Sequence, residues 1–129
     1  MKIYEYQITV SKDDIDALNH VNNVRYVDWI NEAAKKHWHL TAPKKIKNHF
    51  YWVVVSHHID YKSPAFLNDV ILIKTYVRTS EGVKSFRVVE IHNLNSGKLS
   101  VKSETVWCMV DSKTHRPHRI PEEVITLYT

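Results

Sequence analysis

Glycine is nearly absent from this chain: its 129 residues hold two, alongside four prolines and one cysteine. That excludes a glycine-rich phosphate loop of the P-loop or dinucleotide-binding kind, and it leaves no room for a flexible linker or a low-complexity tail. The single cysteine, Cys108, cannot form an internal disulfide or assemble a cysteine-based zinc site. Such cysteine usage fits a reducing compartment, and the apolar neighbours of Cys108 suggest a buried strand position. No apolar run approaches the roughly 20 residues of a membrane-spanning helix. Met1 to Tyr6 lacks the apolar core of a signal peptide, so the expected location is cytoplasmic. Neither charge sign dominates: 18 Lys and Arg against 14 Asp and Glu leave a formal +4. The excess is dispersed, with Lys44, Lys45 and Lys47 the one tight cluster. A phosphorylated small molecule is therefore a better expected partner than a nucleic acid duplex.

A hydrophobic content of 43% over 129 residues supports one domain, residues 1–129, with a real core. Residues 3 to 10 alternate as a strand and lead into an acidic stretch at Asp13 to Asp16. Behind it, Val24, Val27, Ile30, Ala34 and Trp38 recur at three- and four-residue steps, the period of one buried helical face. This helix is expected to start near Asn22 or Asn23 and to run to about His39, with Pro43 and the lysine cluster forming a connecting loop. From there the period changes to two. Tyr51 to Tyr61, Asp69 to Thr79, Val83 to Asn93 and Leu99 to Asp111 read as four long strands, the last three joined as antiparallel neighbours through Gly82 and Gly97. The tail from Thr114, carrying Pro117 and Pro121, is expected to wrap the sheet edge. One amphipathic helix and one long, strongly twisted sheet must bury their apolar faces on each other, which gives an α+β layer with the sheet curled around the helix. The sheet edges then invite a dimer.

Chemistry-bearing side chains concentrate just ahead of the helix, in Asp16-Ala17-Leu18-Asn19-His20-Val21-Asn22-Asn23. Asparagine is a favoured N-cap, and the first amides of a helix have no internal acceptor, so they are available to an anion or a developing oxyanion. Asp16 stands a few residues upstream as a candidate base or nucleophile. His20 is placed to orient it or to touch a substrate. Tyr26, one turn into the helix, suits an acyl pocket or a subunit interface. The nine histidines do not make a metal site: His57 and His58 point to opposite faces of a strand, and His37 and His39 diverge on the helix. One of the pair His57 and His58 can still face the cleft, because the strand runs beside the helix, and His58 is the candidate substrate contact. Trp29, Trp38, Trp52 and Trp107 are expected in the core or an interface.

The run from Asp16 through His20-Val21-Asn22-Asn23 to Tyr26 resembles the hot-dog fold thioesterases of the 4-hydroxybenzoyl-CoA thioesterase type. Weaker matches follow in order at Tyr61-Lys62-Ser63-Pro64, Asn68-Asp69, Lys84-Ser85-Phe86, Val110-Asp111, Arg116-Pro117 and Ile120-Pro121. The resemblance implies a hot-dog fold, a homodimer or homotetramer with sites shared between subunits, and hydrolysis of an acyl-CoA or acyl-ACP thioester without a cofactor or metal. It makes Asp16 the catalytic carboxylate and the Asn23 N–H the group that polarises the carbonyl. Lys84 and Ser85 match positions near the CoA phosphates, a role also open to Arg78 and Arg87. Plant acyl-ACP thioesterases carry an asparagine two residues after the aspartate, where this chain has Leu18, so the bacterial scheme is the nearer one. Two alternatives share the scaffold: a hydratase or dehydratase acting on acyl thioesters, and a non-catalytic module that holds an acyl carrier or lipid.

Overall fold

A computed structural model describes residues 1–129. Strand β1 (Tyr4–Thr9) leads through a short 3-10 turn at Lys12–Asp14 to the long helix α1 (Asn23–Thr41). A six-residue helix, α2 (Lys44–His49), precedes β2 (Phe50–Tyr61), β3 (Val70–Glu81), β4 (Lys84–Asn93) and β5 (Lys98–Asp111), and α3 (Glu122–Leu127) is the last element. The five strands form one antiparallel sheet in the order β1-β3-β4-β5-β2. Its register slips at Val54/Ser56, Val77/Thr79 and Ile91/His92. Bulges of this kind increase local twist, and they bend the sheet around α1 in the hot-dog arrangement. Gly82 and Gly97 sit at φ values of 62° and 74° in the two hairpins, the left-handed region that a residue with a Cβ enters only under strain. Cys108 is buried on β5, as its neighbours suggest.

The main core lies between α1 and the inner face of the sheet, where Tyr26, Trp29, Ile30 and Ala33 meet Ile71, Ile73, Val89, Ile91 and Val101. The buried helix face is therefore rotated from the expected stripe. Val24 is 68% exposed, whereas Tyr26 and Trp29 are buried. Aromatic side chains remove more apolar area from water than valine, so their burial fixes the rotation. A second cluster lies at the C-terminal end of α1, built on Ala42, Ile46, Met109, Ile120, Val124 and Tyr128.

That second cluster explains two further departures. The lysine cluster is not a loop: Lys44, Lys45 and Lys47 lie on α2, which Pro43 opens and the burial of Ile46 anchors. The tail meets the β2 edge only at its start, where His115 Nδ1 lies 3.0 Å from the Tyr51 hydroxyl and the His118 ring packs on Phe50, and then turns inward. Pro117 bridges Val110, the Ile120 N–H donates to the Gly82 carbonyl, and α3 then seats Val124 and Tyr128 against the end of α1. The free edges are β1 and β2, and β2 exposes Tyr51, Val53, Val54 and Val55 along its run. No helix is long and apolar enough to cross a membrane.

Candidate active site

The segment between β1 and α1 folds into a loop that its own backbone closes. The Asp16 N–H donates to the His20 carbonyl at 2.8 Å, Ile15 bridges Val21, and Asn19 turns the chain at a φ of 63°, which asparagine tolerates better than most residues. The Val21 N–H reaches the Ala65 carbonyl at 2.9 Å and His20 bridges Phe66, so the loop is tied to the β2–β3 connection. Beneath it, the buried Asp14 carboxylate accepts from the Ser11 N–H at 2.8 Å, the Ser11 hydroxyl at 3.1 Å and Arg25 Nε at 2.6 Å. Burial alone would raise the Asp14 pKa. The Ser11 and Arg25 donors outweigh it and hold the carboxyl below its ordinary value.

Asp16 itself is exposed. Its Oδ1 accepts from the Leu18 N–H at 2.9 Å and the His20 N–H at 3.2 Å, while Oδ2 makes no hydrogen bond within the chain. Across from it, α1 begins. Asn22 Oδ1 caps the Val24 N–H at 3.0 Å, and the Asn22 carbonyl takes the Arg25 and Tyr26 N–H groups at 2.9 and 3.4 Å. One first-turn amide is left over: the Asn23 N–H has no acceptor in the chain.

A cleft of about 520 Å³ gathers Asp16, His20, Asn22 and Asn23 against Tyr61, Lys62, Ser63, Pro64 and Ser100. Three of the sequence-derived site residues, Asp16, His20 and Asn23, thus share one cavity. The His20 ring packs edge-on against Phe66 with centroids 5.2 Å apart, and His20 bonds Asp16 through its backbone N–H and carbonyl, not through its ring. Tyr26 lies below the cleft, with its ring 6.0 Å from that of Tyr61 and its buried hydroxyl unpaired. Burial raises the pKa of that hydroxyl.

The remaining candidates are not brought to this cleft within one chain. His58 stands on β2 with its side chain 79% exposed, 3.4 Å from Asp60, while His57 turns to the other face and bonds the Thr105 hydroxyl at 2.7 Å. Lys84 is exposed at the start of β4. Ser85 is buried and lines a second cavity at the far end of α1. Arg78 is engaged by Glu104 at 2.8 and 2.9 Å, and Arg87 is buried rather than facing solvent.

The opposite wall of the cleft escaped the residue-by-residue reading. Lys62 and Ser63 were legible only as part of a motif match, and Ser100, whose buried hydroxyl has no partner, carried no local signal.

Residues 10–126 match the model of a family described as the thioesterase-like superfamily. The chain belongs to that superfamily. Among curated proteins, the acyl-[acyl-carrier-protein] hydrolase FATB3 of Cuphea viscosissima is 30% identical over 83 residues, 64% of this chain but 20% of the relative. The chain thus spans about a fifth of the length of the curated relatives it matches. Among solved structures, the probable thioesterase YbaW of Escherichia coli superposes with a TM-score of 0.86 at 24% identity, covering 95% of this chain and 94% of the other. Slr0204, a 1,4-dihydroxy-2-naphthoyl-CoA thioesterase from Synechocystis, gives 0.83 at 18% identity, with 98% and 95% covered. At such identities the superfamily's structures establish the shared fold.

Proposed function

We propose that the protein is a thioester hydrolase acting on an acyl group carried by CoA or acyl carrier protein. The observation that carries this reading is local. One cavity holds a carboxylate with a free oxygen, Asp16 Oδ2, and the single unpaired amide at the start of α1, that of Asn23. Superfamily membership supplies the reaction class.

A thioester carbonyl is already electrophilic, so catalysis needs a delivered nucleophile and stabilisation of charge on the carbonyl oxygen. In one route Asp16 takes a proton from water while the water oxygen attacks the carbonyl carbon. In the other Asp16 attacks directly, the thiolate leaves, and water hydrolyses the anhydride. Either way the C–S bond breaks, the thiol leaves with a proton, and the acid is released. The Asn23 N–H donates to the oxyanion, reinforced by the positive end of α1. His20 flanks the reacting group. Tyr26, buried beneath the cleft, supports the lining residue Tyr61 and does not itself meet the acyl group within one chain.

The exposed apolar run of β2 supports a homodimer through paired β2 edges, since an unpaired, valine-rich edge strand is an association surface. His58, on that same strand, would contact substrate only across such a pairing. Lys84, exposed and cationic, is the better placed of the Lys84–Ser85 pair to meet a CoA phosphate, because Ser85 is buried.

The test is thiol release measured with a chromogenic disulfide across a panel of acyl-CoA and acyl-ACP substrates. Asp16→Asn should keep the fold and lower kcat by about 10²–10⁴. Undiminished turnover in that variant would remove Asp16 from the chemistry. Loss of enoyl absorbance without thiol release would point to hydration instead.

A further inference from the structure

The second cavity, about 470 Å³, lies between the C-terminal half of α1, α2 and the first residues of β2. From Asn23 to the stretch Ala34–His39 that lines it, the helix rises about 20 Å. The two cavities share no residue, and the main core separates them. Three indoles, Trp38, Trp52 and Trp107, form much of its apolar wall, and its volume is that of a small-molecule site.

Its electrostatics are one-sided. Lys35, His39, Lys47 and Arg87 line it, and no Asp or Glu does. Arg87 is the informative member, being only 5% exposed with no carboxylate within 4 Å. Its Nη1 donates to His37 Nδ1 at 2.9 Å and to the Thr75 hydroxyl at 3.0 Å, and its guanidinium carbon stands 5.2 Å from the centre of the Tyr128 ring. These partners are all neutral. Burial lowers its pKa to about 10, so the group still carries its charge at neutral pH. Beside it, the Trp107 indole N–H is buried with no acceptor. A buried cation without a counter-charge is a costly feature for a fold to keep, and guanidinium geometry matches a carboxylate in particular.

We infer that this cavity is a second ligand site, taking an apolar monocarboxylate whose headgroup pairs with Arg87 and whose hydrocarbon body lies against the three tryptophans. The lysines at the rim favour entry of an anion. Thioester hydrolysis releases an acid of this class. That link to the reaction rests on the function proposed above, whereas the site itself does not.

The indoles provide the readout. Titration with 11-bromoundecanoate, below its micellar range, should quench tryptophan fluorescence saturably in the wild-type protein. The uncharged 11-bromoundecanol should bind at least tenfold more weakly. Arg87→Gln, with its fold checked by circular dichroism, should lose that preference. If the variant does not fold, the acid and alcohol comparison in the wild type still decides. Equal affinity for acid and alcohol, or no saturable quenching by either, overturns the proposal. Asp16→Asn should bind bromoundecanoate as the wild type does. Binding without any hydrolysis would leave this site standing while the proposed activity fell, and hydrolysis without binding would do the reverse.

Discussion

Replacing Asp14 by asparagine tests whether the loop carrying Asp16 is held by what lies beneath it. The wild-type carboxylate is 6% exposed and receives three donors, the shortest from Arg25 at 2.6 Å. Asparagine keeps the shape and one acceptor oxygen but removes the charge and directs an NH₂ at a donor. A charge-assisted bond of this kind contributes about 1.5–3 kcal/mol. Arg25 is 39% exposed and regains water when its partner is lost, so the lower part of that range applies: about 2 kcal/mol, read as a lower urea midpoint at unchanged slope. The loop should loosen as well, because the backbone carbonyl of Asp14 also takes the Asn22 N–H at 2.9 Å, next to the unpaired Asn23 amide. Asp16 remains chemically intact, yet kcat in the thiol-release assay should fall by about tenfold, as small misplacements of catalytic groups do. Arg25→Met should cost a similar amount, and the double variant should fall well short of the sum. An unchanged midpoint, or additive costs, would refute the anchoring. Lost stability with unchanged kcat would show that the loop holds Asp16 without it.

Stability should also fall as the pH drops below 6.5. Burial first, and the Arg87 cation second, lower the His37 pKa from 6.5 to about 4. Between those values the unfolded chain binds a proton that the folded one refuses, so unfolding free energy is full above pH 6.5, declines toward pH 4 and levels below it, by at most about 3 kcal/mol. His37→Gln should flatten that decline in urea melts taken across the window, and an unaltered slope would exclude His37 as its source. On the β2 edge, Val55→Lys should turn a dimer into a monomer by light scattering with the circular dichroism unchanged, whereas a dimer that persists would place the interface elsewhere.

The long strands were legible because half-buried strands alternate, and each glycine stands where a hairpin needs a left-handed residue. The short helices were not. Six residues carry no usable period, and α2 and α3 exist because Ile46 and Val124 find a core to enter, which is a tertiary fact. The rotation of α1 was missed for a related reason: Val24 and Tyr26 both fit an apolar face until their burial is weighed against the sheet. Arg87 had a readable signal that a residue-by-residue reading passed over. It shares its phase on β4 with Ser85, Val89 and Ile91, all of which are buried, so alternation alone placed it on the inner face. Charge argued the reverse, and the strand's pleat prevailed.

The start of α1 shows how little special machinery the proposed oxyanion site requires. An N-cap asparagine serves the second helical amide with its side chain and the next two with its carbonyl, which leaves the first amide of the helix pointing outward. Many helices begin this way and bind nothing. What distinguishes this one is the loop ahead of it, where the backbone pair between Asp16 and His20 and the left-handed Asn19 bring a carboxylate back to the same cavity. Two backbone donors hold one carboxylate oxygen, so the other is aimed without the help of any side chain. Such a site depends on chain geometry more than on neighbouring functional groups. It is therefore sensitive to Asp14, buried beneath it, and indifferent to most of the exposed residues around it.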